Sequence, residues 1–226
     1  MGAPSPDDVV AAVREGIDAV ESIAAGYADD QWARSTPCDE WDATALAGHV
    51  LCVSRWYHAW LDRAEAGDTA KPFDGSELPE QNRLALLELD AEGPLDGPAR
   101  VAAFAESARA YAGRLPDAWD LPFGYPRGTV TAGLHAGMLT VEWHVHAWDL
   151  AQAVGLDHRP AHPEMLVQAA ATTQASLQVD RGRGRGLAAA VGRSVAARRA
   201  RRAGDPWLFL LGVAGRVDPG GDKPAI

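Results

Sequence analysis

Glu142 and His146 are the two residues in this chain best placed to do chemistry together. They stand four apart in the run Val141-Glu142-Trp143-His144-Val145-His146-Ala147-Trp148-Asp149-Leu150. At about 100° per residue a helix sets them ~40° apart, on one face and one turn along the axis. A carboxylate and an imidazole so placed can grip one divalent metal ion, which then needs at least one more ligand from elsewhere. The spacing alone does not decide, because Glu-x-x-x-His is also an ordinary surface pair. The apolar and aromatic neighbours argue for burial, and buried polar groups need partners. His49, far upstream, is the third candidate. It falls within the stripe Leu46, Val50, Val53, Tyr57 and Trp60 and so points at the core, as a ligand or as a hydrogen-bonded core histidine.

Helix geometry sorts the remaining polar side chains. His58 is nine residues after His49, ~900° of rotation, and faces the opposite side, toward the surface. His144 is two residues from both Glu142 and His146, ~200° round, and points elsewhere. His135 is seven residues before Glu142, ~10 Å along the axis, and does not share the same ion unless the helix breaks. With Cys38 and Trp148 it is a candidate for the surrounding pocket. Asp149, three after His146, is placed to orient that imidazole from behind, or else is an exposed acid. Two histidines and one carboxylate leave coordination positions open, the pattern of a catalytic or substrate-binding site rather than a closed structural one. Zinc is the first expectation, and the same set suits Fe(II), Ni or Mn.

Four main helices must position these groups. The periodicity predicts them over about residues 6–27, 43–66, 99–115 and 129–154. Asp7 or Asp8 and Asp42 serve as N-caps, and Pro98 suits a first turn. Between the first two lies a connector with Trp32, Thr36-Pro37-Cys38 and Trp41, where Pro37 disfavours helix at Thr36. A short helix over residues 82–89 and a two-strand excursion near Phe123 to Val130 interrupt the loops. A further helix starts at Pro163 and runs to about Val179. The apolar patch Trp207-Leu208-Phe209-Leu210-Leu211 is placed to dock on the bundle, and the end from Asp218 frays. The architecture expected is an all-α four-helix bundle with a C-terminal helical or irregular extension. The domains divide into a metal-binding bundle over 6–180 and a basic segment and tail over 181–226.

Composition narrows the classes. A chain of 226 residues that is 47% hydrophobic builds a sizeable core. Its formal charge of −10 argues against a general nucleic-acid binder. The local exception is Arg181 to Arg202, with eight arginines and no acid. Such a run suits phosphate or RNA, and suits equally a solvated face able to pair with the acidic body. Two cysteines, Cys38 and Cys52, make no disulfide framework and fit a reducing, cytoplasmic setting. The first residues lack a basic start and an apolar signal core, and no apolar run reaches the ~20 residues of a membrane span.

Two stretches carry a resemblance to a known family. Thr36-Pro37-Cys38-Asp39-Glu40-Trp41-Asp42, followed by Leu46-Ala47-Gly48-His49-Val50, resembles the N-terminal signature of the mycothiol-dependent maleylpyruvate isomerase-like family, within the DinB-like superfamily of metal-binding bundles. Glu142 through Leu150 resembles that family's second motif, a ligand and a histidine four residues on, followed by Trp-Asp-Leu. The resemblance covers about residues 6–180. It implies one divalent metal held by His49, Glu142 and His146. It also implies that the open position binds the thiolate of a low-molecular-weight thiol such as mycothiol.

The expected function is therefore a metal-dependent thiol transferase or isomerase acting on a small electrophile, as monomer or homodimer. No Ser-His-Asp or Cys-His arrangement competes with it. The second reading is a non-catalytic metal- or ligand-binding bundle, and turnover that depends on an added thiol separates the two.

Overall fold

Each long helix begins where a short polar side chain can satisfy a backbone N–H that the first turn leaves unpaired. In the computed structural model Ser5 opens α1 (Pro6–Ala24) with a reciprocal cap. Its hydroxyl accepts from the Asp8 N–H at 3.2 Å, and the Asp8 carboxylate accepts from the Ser5 N–H at 3.1 Å. Asp42 opens α2 (Ala43–Glu65), Asp96 opens α4 (Gly97–Ala118) and Thr131 opens α5 (Ala132–Ala153), each accepting one backbone N–H. Each cap contributes about 1 kcal/mol. The structure describes residues 4–38, 41–178 and 204–216. Over these the remaining elements are α3 (Leu78–Glu92), the strands β1 (Pro122–Tyr125) and β2 (Gly128–Thr131), α6 (Pro163–Gln178) and α7 (Pro206–Val213).

The four long helices close a ring in the spatial order α1, α4, α2, α5. The α1/α5 and α2/α4 neighbours pack most extensively, α1/α4 next, and α2/α5 least. Ile17, Leu46, Phe104, Tyr111, Leu115, Leu139 and Trp143 fill the centre and are fully buried. Each such side chain contributes roughly 1.5–3 kcal/mol by leaving water. The sparsely packed α2/α5 seam is where polar groups can be accommodated at least cost to the core. It is also where His49, Glu142 and His146 meet.

Two local devices set the turn of α2 that carries His49. The first is Gly48. The Arg100 guanidinium from α4 crosses α2 at this point, and a Cβ at 48 would collide with it. Arg100 is buried, with a partner for each of its three nitrogens: its Nε donates to the Leu95 carbonyl at 2.8 Å, one Nη to the Thr44 carbonyl at 3.3 Å and the other to the Asp90 carboxylate. Removing it would take a hydrogen bond from the part-buried Leu95 and Thr44 carbonyls, while the Asp90 carboxylate, half exposed, could turn to water. The second device is the loop before α2. The Thr36 hydroxyl donates to the Trp41 carbonyl at 2.9 Å and accepts from the Cys38 N–H at 3.1 Å. That closes a turn which Pro37 favours, and it brings Cys38 and Trp41 to the seam.

The structure moves several boundaries read from sequence. α1 stops at Ala24, not near Tyr27. Its last N–H groups tighten to i−3 carbonyls, and the Tyr27 hydroxyl instead donates to the Leu150 carbonyl at 2.6 Å. α5 starts at Ala132, not Thr129, because Thr129 to Thr131 pair with β1 in the expected hairpin. α4 passes through Pro116 to Ala118, since a proline in the last turn forfeits only one backbone bond. The helix expected over residues 82–89 is longer and starts at Leu78, with Pro79 in its first turn. The patch from Trp207 forms α7 and packs on Leu166, Val145 and Trp148, as its apolar character predicts. The Arg181 to Arg202 run and the tail from Asp218 lie outside the described residues. Among the described residues no helix is long and apolar enough to cross a membrane.

Candidate metal centre

His49 comes from the second turn of α2, and Glu142 and His146 from successive turns of α5. Their ligand atoms all lie within 4.8 Å of one another. His49 Nε2 stands 3.9 Å from Glu142 Oε1, beyond hydrogen-bonding distance. Two donors that each sit ~2.1 Å from a shared ion stand up to ~4 Å apart, so the spacing suits common ligation better than mutual bonding. The two imidazoles meet edge to face at 5.2 Å. His49 and His146 are buried, whereas the Glu142 side chain is 28% exposed and marks the side from which a small molecule could approach.

The electrostatics favour a donor set. Burial, with His146 and Arg216 nearby, holds the His49 imidazole well below its ordinary 6.5, so it is neutral with a lone pair available. Burial also raises the Glu142 carboxyl, while His146 and the Tyr57 hydrogen bond pull it back down. A cation among the three would favour the ionised carboxylate and the neutral imidazoles together. Two nitrogens and one oxygen, with an open side, are the donors a divalent ion of the zinc, iron, nickel or manganese type accepts. On the chemistry of these residues the site fits such an ion.

Neighbouring groups orient the donors. His146 Nδ1 lies 3.0 Å from Asp149 Oδ2, which leaves Nε2 to join the cluster. Asp149 is fully buried and is gripped on both oxygens by Arg216, Nε to Oδ1 at 2.7 Å and Nη2 to Oδ2 at 2.9 Å. The Trp41 ring covers His49 with centroids 4.4 Å apart. The Tyr57 hydroxyl donates to Glu142 Oε2 at 2.8 Å. Cys38, His146 and Asp149 form a second close group. It sits against the Arg216 guanidinium, whose charge opposes a metal ion there and suits a hydrogen-bonded network instead.

The other predicted site residues fall as follows. Cys38 is partly exposed at the edge of the seam, beside Arg216. His135 is buried two turns before Glu142; its Nδ1 meets the Tyr111 hydroxyl at 3.1 Å and its ring stacks on Phe123 at 4.6 Å. It touches Tyr57, whose ring is 4.4 Å away and whose hydroxyl reaches Glu142. Trp148 does not line the centre. It sits about 200° round α5 from His146 and packs with Leu166, Trp207 and Leu211. His144 points into α1 and His58 toward α4, both away from the centre, as the helical angles require. His58 is half-buried rather than on the open surface, held between the Ser107 carbonyl at 2.7 Å and Arg114 at 3.2 Å.

Sequence reasoning missed two groups here. Tyr57 stood within the apolar stripe, and the available signal was that a buried tyrosine hydroxyl needs a partner. Arg216 gave no signal, being an isolated arginine 67 positions after the carboxylate it grips.

Comparisons with known proteins bear on the same residues. A family described as the mycothiol maleylpyruvate isomerase N-terminal domain matches residues 13–151, more than half of the chain. That span holds His49, Glu142, His146 and Asp149 but not α7 or Arg216. Two uncharacterized proteins of Mycobacterium tuberculosis, from strains CDC 1551 / Oshkosh and ATCC 25618 / H37Rv, are each 28% identical to this chain over 168 residues. The alignment covers 74% of this chain and 79% of each relative. No solved structure matches.

Proposed function

The chain belongs to the family of the mycothiol maleylpyruvate isomerase N-terminal domain, and from that premise we propose a divalent-metal-dependent enzyme. It activates a low-molecular-weight thiol of the mycothiol type for S-transfer to, or cis–trans isomerisation of, a small electrophile. The observation that carries the reading is the convergence of His49, Glu142 and His146 on one open-sided point of the α2/α5 seam. A divalent ion, zinc first among the candidates, would lower the pKa of a thiol there and hold it as thiolate at neutral pH.

The chain's own residues do the rest. His49 and His146 present ring nitrogens, and Glu142 presents a carboxylate oxygen. Asp149 accepts from His146 Nδ1–H and so fixes the tautomer that leaves Nε2 free to ligate. Arg216 balances the Asp149 charge, which would otherwise be buried alone. Trp41 shields the far side of His49 from water, and the exposed edge of Glu142 is the way in. A thiolate delivered there adds to an activated double bond. Rotation and elimination then return the thiol with the isomerised product, whereas loss of a leaving group or retention of the adduct gives S-transfer. No protein nucleophile is consumed in either course. The two cysteines, outside any disulfide, suit a reducing cytoplasm.

Elemental analysis of protein purified without chelator tests the reading, beside a Glu142→Ala/His146→Ala variant. The expected result is about one divalent ion per chain in the wild type, lost in the variant, with turnover of an electrophile that depends on added thiol. A folded wild type that takes up no metal even on reconstitution would overturn it. Bound metal without turnover by any thiol would leave a binding protein instead.

A further inference from the structure

A carboxylate can offer a metal ion one oxygen or both, and the choice decides how many positions stay open for anything else. The two oxygens of Glu142 are not equivalent in this structure. Oε1 faces His49 Nε2 at 3.9 Å, while Oε2 accepts the Tyr57 hydroxyl at 2.8 Å. Tyr57 has little freedom to let go. It is 4% exposed, and its ring is wedged against His135 at 4.4 Å, Trp60 at 5.6 Å and Tyr111 at 5.8 Å. It also shares α2 with His49, about two turns further on, so one rigid helix sets both the ligand and the hydroxyl. The same pattern recurs on His146, where Asp149 engages one of the two ring nitrogens.

From this arrangement we propose that Tyr57 is a positioning residue that restricts Glu142 to one-oxygen ligation. The protein then supplies three donor atoms rather than four, and adjacent positions remain for a thiol and an electrophile to sit side by side. The inference rests on the metal reading above. Without the hydroxyl, Oε2 loses its partner, and the carboxylate can turn its second oxygen to the ion and close one of those positions. Tyr57→Phe removes one oxygen atom and keeps the ring packing. Tyr111→Phe is the matched control: its hydroxyl lies in the same aromatic cluster but engages His135 Nδ1 at 3.1 Å and not Glu142.

The test is Co(II) loading of the full chain, with stoichiometry read by elemental analysis and ligand number by the visible absorption spectrum. The expected result is one cobalt per chain in all three proteins. Tyr57→Phe loses visible intensity, as a gain in coordination number requires, and Tyr111→Phe overlays the wild type. A Tyr57→Phe spectrum identical to wild type overturns the inference while leaving the metal reading intact. An equal change in both variants overturns it too, since loosening of the aromatic cluster would then explain the spectrum. A wild type that binds no cobalt overturns the metal reading and this inference with it.

Discussion

α5 carries two histidines two residues apart, and its two faces treat them in opposite ways. On one face His144 is fully buried. Its Nε2 donates to the Ala12 carbonyl at 3.2 Å, and its Nδ1 accepts from His158 Nε2 at 3.1 Å. The carbonyl can only accept, so it fixes both tautomers: each ring carries its proton on Nε2. On the other face His146 uses one nitrogen on Asp149, and the other looks toward His49 and Glu142, with no hydrogen bond linking the three. The lesson is that burial and residue type do not distinguish a ligand from a core histidine. What distinguishes them is whether the neighbours satisfy the lone pairs. Both ring nitrogens of His144 are engaged by neighbours, while His49, Glu142 and His146 bring their donor atoms within 4.8 Å of one another, the spacing on which the proposed metal site rests.

The largest effects should separate the two faces outright. His49→Ala should abolish stoichiometric metal, because a single carboxylate and imidazole remain. His144→Gln should retain about one ion per chain while lowering stability by roughly 1–3 kcal/mol, through loss of the buried hydrogen bonds that His144 makes to Ala12 and His158. His58→Ala, on the outer side of α2, should also keep its metal. Metal content and denaturant melts on the same samples check all three. Equal metal loss in His49→Ala and His144→Gln would erase the distinction between the faces.

Arg216→Ala sharpens the contrast from outside the matched family region. It leaves Asp149 fully buried without its cation, at a cost of about 3–5 kcal/mol. It should also weaken metal binding roughly 10- to 100-fold by freeing the imidazole that Asp149 holds. Metal titration followed by calorimetry reads the second effect. Affinity unchanged beside a large stability loss would make Arg216 a structural clamp only.

These cases show why parts of the molecule were legible in the chain and others were not. The cap at Asp42, the helical stripes and the Glu142–His146 pair are local, and one helical period places them, whereas the cap of α1 falls on Ser5 rather than on Asp7 or Asp8. His49 was legible too, since its stripe pointed it inward at a helix already expected to pack on α5. Trp148, read as a possible pocket residue, packs beneath α7, and the same angular argument, applied two residues past His146, turns it that way. Tyr57 hid because aromatic rings read as core and only a partner reveals the role of the hydroxyl. Arg216 lay beyond any periodic argument, since its pairing with Asp149 depends on where the chain returns after α6. The ring order of the helices, and with it the sparse α2/α5 seam, is likewise a tertiary outcome that no single helix encodes.

The smallest expected effect bears on the satisfied face alone. Burial pushes the His144 imidazole down to about 4, and burial together with His144 does the same to His158. A histidine whose folded pKa lies below its unfolded value near 6.5 contributes stability that is fully present above pH 6.5. That stability is lost as the pH falls toward 4, because the unfolded chain takes up protons first. For one such histidine the loss between pH 7 and pH 5 is about 2 kcal/mol. Metal-free wild type should therefore weaken over this range, and His144→Gln should weaken by about 2 kcal/mol less. His49 in the metal-free protein adds to the same slope, but it does so equally in both samples and cancels in their difference. Parallel stability–pH curves for the two proteins would mean that the pair accepts a proton while folded, and that the latch on this face of α5 is looser than its hydrogen bonds imply.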